Sequence, residues 1–183
     1  MDIIKVDFNI DGLEETEKLG AILAGILGSL FSSTEKNKPS GSVDCNNLPI
    51  ILLNGTLGVG KTTFSRSIVL SSLKKETVDF SSPSFNLYNI YPTDPLIIHA
   101  DLYRLVQGSV PDEEFLEFIE NKNAVILLEW SERLPAYLYP SEYLRFDFSF
   151  IEQDFELNQK RNLEISAKGK NECLILKELI LAF

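Results

Sequence analysis

The stretch LNGTLGVGKTTF, from Leu53 to Phe64, constrains this chain more than any other. It follows the apolar run Ile50-Ile51-Leu52. Gly55, Thr56, Leu57, Gly58, Val59, Gly60, Lys61 and Thr62 satisfy G-x-x-x-x-G-K-[ST] at every fixed position. Glycines let the backbone curl until several N–H groups face inward, which makes an anion nest. A helix beginning near Lys61 aims its partial positive end at the same place. The stretch therefore predicts a buried strand, a phosphate-gripping turn and a helix in that order. Lys61 is expected at the β- and γ-phosphates, the Thr62 hydroxyl on Mg²⁺, and Thr63 near the α-phosphate. A chance match in a chain of this length has a probability of roughly 1% or less.

A magnesium site beside such a loop needs a carboxylate from a strand end. Two strands supply one: PLIIHAD ends at Asp101 and AVILLEW carries Glu129. Both acids are expected at the carboxyl edge of the sheet, where folds of this kind bind ligands. Guanine readers commonly use N-K-x-D. Asn121-Lys122-Asn123-Ala124 begins like one, but Ala124 has no acceptor, so ATP is the expected nucleotide.

The remaining pattern sets the fold class. Ile4, Val6, Phe8 and Ile10 alternate as a strand does. Leu19, Ile22, Leu23, Ile26, Leu27 and Leu30 form one helical face, expected in the core. Residues 32–47 are polar and read as a surface loop. Further strands are expected at Phe85–Tyr91, Leu96–Ala100 and Ala124–Leu128, with a short helix over Asp112–Glu120. Tyr143–Ile151 and Asn162–Ala167 alternate like an antiparallel pair, and Asn171–Leu181 reads as a last helix or strand. The sum is an α/β sandwich with a mixed sheet, in a single domain spanning residues 1–183.

Composition removes other classes. The net charge is −10, which repels nucleic-acid backbones, so any RNA task is expected to run through a basic partner. There is one histidine and there are two cysteines without a CxxC, so a zinc cluster is not expected. The N-terminus lacks a signal-peptide pattern and Leu19–Phe31 is too short to span a bilayer. A cytoplasmic protein with no membrane role is the expectation. His99 reads more readily as a hydrogen-bonding strand-end residue than as a catalyst. Arg104 reads as a surface ion-pair partner more readily than as a group on the nucleotide. Trp130 reads as core packing or part of a partner surface.

Four separated stretches, GTLGVGKTTFSR, SSPSFNLYNIY, HADLYRL and LLEW, occur in that order. Together they resemble the bacterial ATPase family of tRNA threonylcarbamoyladenosine biosynthesis (TsaE, also known as YjeE). The resemblance implies a three-layer P-loop NTPase-like fold. Its sheet would be mixed and mainly parallel, with an antiparallel C-terminal hairpin. It implies weak ATP hydrolysis with Mg²⁺. The partners implied are the two protein subunits of the threonylcarbamoyltransferase complex, which the ATPase would switch or reset, with tRNA touched only indirectly. By matched position, Lys61, Asp101 and Glu129 would be catalytic, with Asp101 orienting water. Thr62 and Glu129 would hold metal, and Ser84 would sit in a nucleotide-sensing segment in place of the family's threonine. Two other functions fit the same loop: a small-molecule kinase, and a nucleotide-gated binding module that does not hydrolyse.

Overall fold

The computed structural model describes residues 3–32, 44, 46–73, 79–83, 86–106, 109–151 and 160–183. The expectations for Ser84, for Phe85 and for most of the 32–47 loop fall outside them.

Among the described residues seven strands and four α-helices follow the expected order. They are β1 (Ile4–Asp11), α1 (Gly12–Phe31), β2 (Ile50–Asn54), α2 (Lys61–Ser72), β3 (Tyr88–Tyr91), β4 (Ile97–Asp101), α3 (Glu113–Asn121), β5 (Val125–Glu129), β6 (Tyr143–Phe150), β7 (Lys160–Lys168) and α4 (Lys170–Ala182). All strands join one sheet in the order β1-β7-β6-β2-β5-β4-β3. The centre, β6-β2-β5-β4, is parallel. The β6–β7 hairpin is antiparallel as expected. Two further antiparallel pairings, β1 with β7 and β3 with β4, close the two edges. The Asn171–Leu181 segment resolves to helix.

Parallel strands need cover on both faces, and β2, β4 and β5 are accordingly apolar on both. Ile51, Leu53, Val125 and Leu127 pack with α1, α2 and α4. Ile50, Leu52, Ile126 and Leu128 pack with Phe115 and Ile119 of α3 on the other face. This gives three layers. Leu19, Leu23, Leu27 and Leu30 of α1 recur every three or four residues and are buried, while Ile22 and Ile26 lie partly buried beside them. The N-terminus of α1 is closed by Glu15, whose Oε2 accepts from the Asp11 N–H at 2.6 Å. In α3 the Asp112 side chain accepts from the Phe115 N–H at 2.8 Å, a helix cap worth about 1 kcal/mol.

Phe64 ties α2 to the sheet. It is fully buried, with ring centroids 4.9 Å from Phe146 and 5.7 Å from Phe148. Truncating such a side chain costs about 3–5 kcal/mol. Because it lies one turn into α2, it also fixes where the helix N-terminus points.

Candidate functional site

The turn between β2 and α2 takes its shape from glycine. Gly55, Gly58 and Gly60 all have positive φ, at 131°, 78° and 115°. At Gly55 a Cβ would also collide with the Phe148 carbonyl oxygen of β6. Only glycine fits there. The Val59 side chain turns into the core and is fully buried, while Leu57 at the tip is exposed. The first N–H groups of α2, which no helix satisfies internally, open at this turn.

Lys61 is 4% exposed. Its Nζ donates to the carbonyls of Gly55 at 2.6 Å and Thr56 at 3.0 Å, and lies 3.9 Å from the centre of the Trp130 ring. Burial pushes its pKa below the usual lysine value, and the nearby charges of Glu129, Glu132 and Asp101 offset only part of that.

The two strand-end acids lie side by side, because Asp101 and Glu129 are register partners across β4 and β5. Their surroundings differ. Glu129 is 1% exposed. Its Oε2 accepts from the Thr62 hydroxyl at 2.7 Å, and its Oε1 accepts from the Ser65 hydroxyl at 3.0 Å and faces His99 Nε2 at 2.8 Å. Burial opposes its charge, but the His99 contact and the two hydroxyls together outweigh burial and hold its pKa below the usual glutamate value. For Asp101 burial prevails and raises the pKa, with Glu129 adding to the rise. The Tyr103 N–H at 2.9 Å and the Ser82 hydroxyl at 3.4 Å relieve it only in part.

Gly58, Gly60, Lys61, Thr62, Asp101 and Glu129 all face one cleft of about 270 Å³. Thr63 and Leu57 also line it. A second cavity of about 420 Å³ adjoins it, sharing Ser82, Asp101 and Tyr103 and extending to Asn86 and Arg104. Arg104 thus borders the neighbouring cavity and not the cleft at the glycine turn. Asn121 and Lys122 end α3 at the opposite edge of the sheet, where the Lys122 carbonyl accepts from the Leu48 N–H.

Trp130 leaves β5 in the left-handed region, at φ 58°, a conformation that costs a non-glycine residue about 1–2 kcal/mol. Its N–H donates to the Leu53 carbonyl at 3.0 Å. The next residue, Ser131, donates its hydroxyl to Asn54 at 2.6 Å, and Asn54 in turn donates to Asp147 at 3.0 Å. These bonds join the segment after Glu129 to the residue before Gly55.

Sequence reasoning missed four residues around this site. Ser65 lies one turn beyond Lys61, and helical spacing alone would have pointed it inward. Arg161 donates from Nε to the Val59 carbonyl at 2.6 Å, arriving from β7 with no motif around it. Thr16 of α1 approaches Gly60 on the same side as Arg161. Arg133 lies over the Trp130 and Tyr103 rings, 5.4 and 5.2 Å from their centres.

Comparison with known proteins gives a consistent picture. A family model described as threonylcarbamoyl adenosine biosynthesis protein TsaE matches residues 10–162. The tRNA threonylcarbamoyladenosine biosynthesis protein TsaE of Rickettsia typhi is 39% identical over 154 residues, covering 81% of this chain and 93% of that protein. The protein of the same name from Aquifex aeolicus is 42% identical over 85 residues, 46% of this chain and 59% of that one. Among solved structures, YdiB of Bacillus subtilis superposes with a TM-score of 0.64 over 99% of this chain and 97% of that one. At 19% identity that likeness concerns the fold alone.

Proposed function

Because this chain belongs to the TsaE family, and so to tRNA threonylcarbamoyladenosine biosynthesis, we propose that it binds ATP with Mg²⁺ and hydrolyses it slowly. We further propose that this switches or resets the two-subunit threonylcarbamoyltransferase complex. The observation that carries the reading is the 2.7 Å contact between Thr62 and Glu129, beside a complete phosphate loop. A helix-start hydroxyl and a strand-end carboxylate meet where a nucleotide's β- and γ-phosphates would need a metal.

The residues suit Mg²⁺. Both are hard oxygen donors, and the carboxylate is held in its charged form. Among the described residues no group of three or more His, Cys, Asp or Glu gathers as a metal cage. Magnesium seldom asks for one, since it keeps waters and takes phosphate oxygens. Bound there, it would neutralise charge on the transferring phosphoryl group.

The chain's own groups divide the rest of the work. Lys61 exchanges its carbonyl partners for phosphate oxygens. The loop residues Gly55 to Thr63 cradle the phosphates through backbone N–H groups. Asp101 orients the attacking water and draws its proton as the oxygen bonds to phosphorus and the bond to ADP breaks. Among the described residues lining the cleft, Lys61 is the only cation. An arginine at the γ-phosphate is worth about 10³–10⁵ in rate, so turnover by this chain alone is expected to be slow. The charge of −10 supports contact with tRNA only through the partners. β1 and β7 bring both ends of the chain into one sheet, which supports reading residues 1–183 as one domain. Among the described residues no helix is long and apolar enough to cross a membrane. The cytoplasm is the compartment this reading assigns.

One observation favours a second reading, a small-molecule kinase. The cavity beyond Asp101 could seat an acceptor hydroxyl. Rapid ATP consumption with one metabolite, and none with the partner subunits, would select it. The first reading is tested by calorimetric titration of ATP into Lys61→Ala. Its Kd is expected to rise at least about tenfold, the loss of roughly 1.4 kcal/mol or more. An unchanged Kd would place the phosphates elsewhere.

A further inference from the structure

His99 is the chain's single histidine, and it is fully buried next to a fully buried acid. It sits on β4 two residues before Asp101 and so on the same face of the sheet, the face that Glu129 shares. Phe80 stacks on it with ring centroids 5.3 Å apart and an interplanar angle of 20°. Its Nε2 reaches Glu129 Oε1 at 2.8 Å. A carboxylate oxygen can only accept, so the hydrogen is on Nε2. Among the described residues Nδ1 has no hydrogen-bond partner, so the ring's polar contact is spent on this one oxygen.

The contact divides the labour of the carboxylate. Oε1 is occupied twice, by His99 and by the Ser65 hydroxyl. Oε2 faces Thr62 and the cleft. A free glutamate side chain rotates about its last bond and presents either oxygen. Two donors on Oε1, one from β4 and one from α2, forbid that rotation. The stacking of Phe80 fixes the ring plane, and with it the direction of the Nε2–H bond.

We infer that His99 is a positioning residue that locks the Glu129 carboxylate so that Oε2 alone is offered, beside the Thr62 hydroxyl, to the metal of a bound nucleotide. It touches neither metal nor nucleotide. This rests on the proposed Mg-ATP site and adds to it the device that orients its acid. Partners that orient a metal-binding group typically account for 10–100-fold in metal affinity.

The test uses two polar variants one methylene apart. The amide nitrogen of His99→Gln reaches about as far as Nε2, whereas His99→Asn stops short of Glu129. Each full-length variant is titrated with Mg²⁺ at fixed fluorescent ATP analogue, and binding is measured separately in EDTA. In EDTA both variants are expected to bind the analogue within about twofold of the unmodified protein, since the phosphate loop is untouched. With metal, His99→Asn is expected to need roughly 10-fold more Mg²⁺ for half-maximal enhancement of binding. His99→Gln should stay within about threefold of the unmodified protein. Ser65→Ala, which removes the other donor, should shift the midpoint in the same direction by less. Equal Mg²⁺ midpoints for His99→Asn and His99→Gln would overturn the inference, as would a His99→Asn midpoint equal to that of the unmodified protein. Failure of the unmodified protein to bind the analogue at all would instead strike the proposed function.

Discussion

The ends of β4 and β5 carry acids at the same height in the sheet, and the two ends are built in opposite ways. At β5, Glu129 is enclosed and receives Thr62, Ser65 and His99. At β4, Asp101 stands between the cleft at the glycine turn and the adjoining cavity, with one backbone N–H and one long hydroxyl contact. Neighbouring positions in one register therefore give one acid held charged and one whose pKa is raised. On the proposed reading, environment and not residue type would separate the metal-holding acid from the proton-accepting one.

The largest break in that comparison is expected from Glu129→Gln. It keeps the shape of the side chain and removes the charge. Mg²⁺-dependent hydrolysis should fall by about 10³-fold, and the Mg²⁺ enhancement of nucleotide binding should vanish in the same titrations. Asp101→Asn should cost about 10²-fold in kcat while leaving the Mg²⁺ midpoint within a factor of two. If the two variants lost Mg²⁺ dependence equally, the roles assigned to the two strand ends would merge.

The dependence on pH sharpens the same contrast. In the proposed role Asp101 must be ionised to draw a proton, and its pKa is raised above the ordinary 3.8. Hydrolysis should therefore fall as pH drops through that raised value, whereas the contacts of Glu129 hold its charge to lower pH than an ordinary glutamate keeps it. A rate profile for the unmodified protein with no acid limb above pH 3.8 would contradict this. Stability follows opposite signs at the two acids. The Glu129 contribution is complete above 4.5 and is lost as pH falls through its folded value. The proton held by Asp101 favours the fold at low pH, and that advantage disappears as pH rises through its raised value. At neutral pH the Asp101 charge is therefore a cost. The smallest expected effect is a Tm for Asp101→Asn slightly above that of the unmodified protein at pH 7, since the exposed part of the side chain is screened by water. A lower Tm would mean that its contacts outweigh its burial.

Features set by local pattern were legible in the sequence. The β2-turn-α2 unit follows from glycine spacing and an apolar run. Glu129 and Asp101 were legible as strand ends because their strands are continuous apolar segments that stop at an acid. Partners brought in by register across many residues were not. Arg161 reaches the loop because β7 pairs with β6 and β1, and no alternation of side chains names a strand's neighbour. The sequence marks His99 as a hydrogen-bonding strand-end residue, but its partner, Glu129, is set by the alignment of β4 with β5. The edge pairing of β3 with β4 was likewise hidden, because a four-residue strand carries too little pattern to state its direction.

The backing of Gly55 by the Phe148 carbonyl ties two parts of the chain that share no motif. The first glycine of the loop leans on the main chain of the C-terminal hairpin, and Arg161 from the same hairpin grips the loop at Val59. A slip of one residue in how β6 lies beside β2 would turn every β6 side chain to the opposite face and carry the Phe148 carbonyl away from Gly55. The hairpin, unremarkable when read as letters, is thus the template against which the phosphate loop is moulded. Insertions within β6 or β7 should therefore disturb the turn.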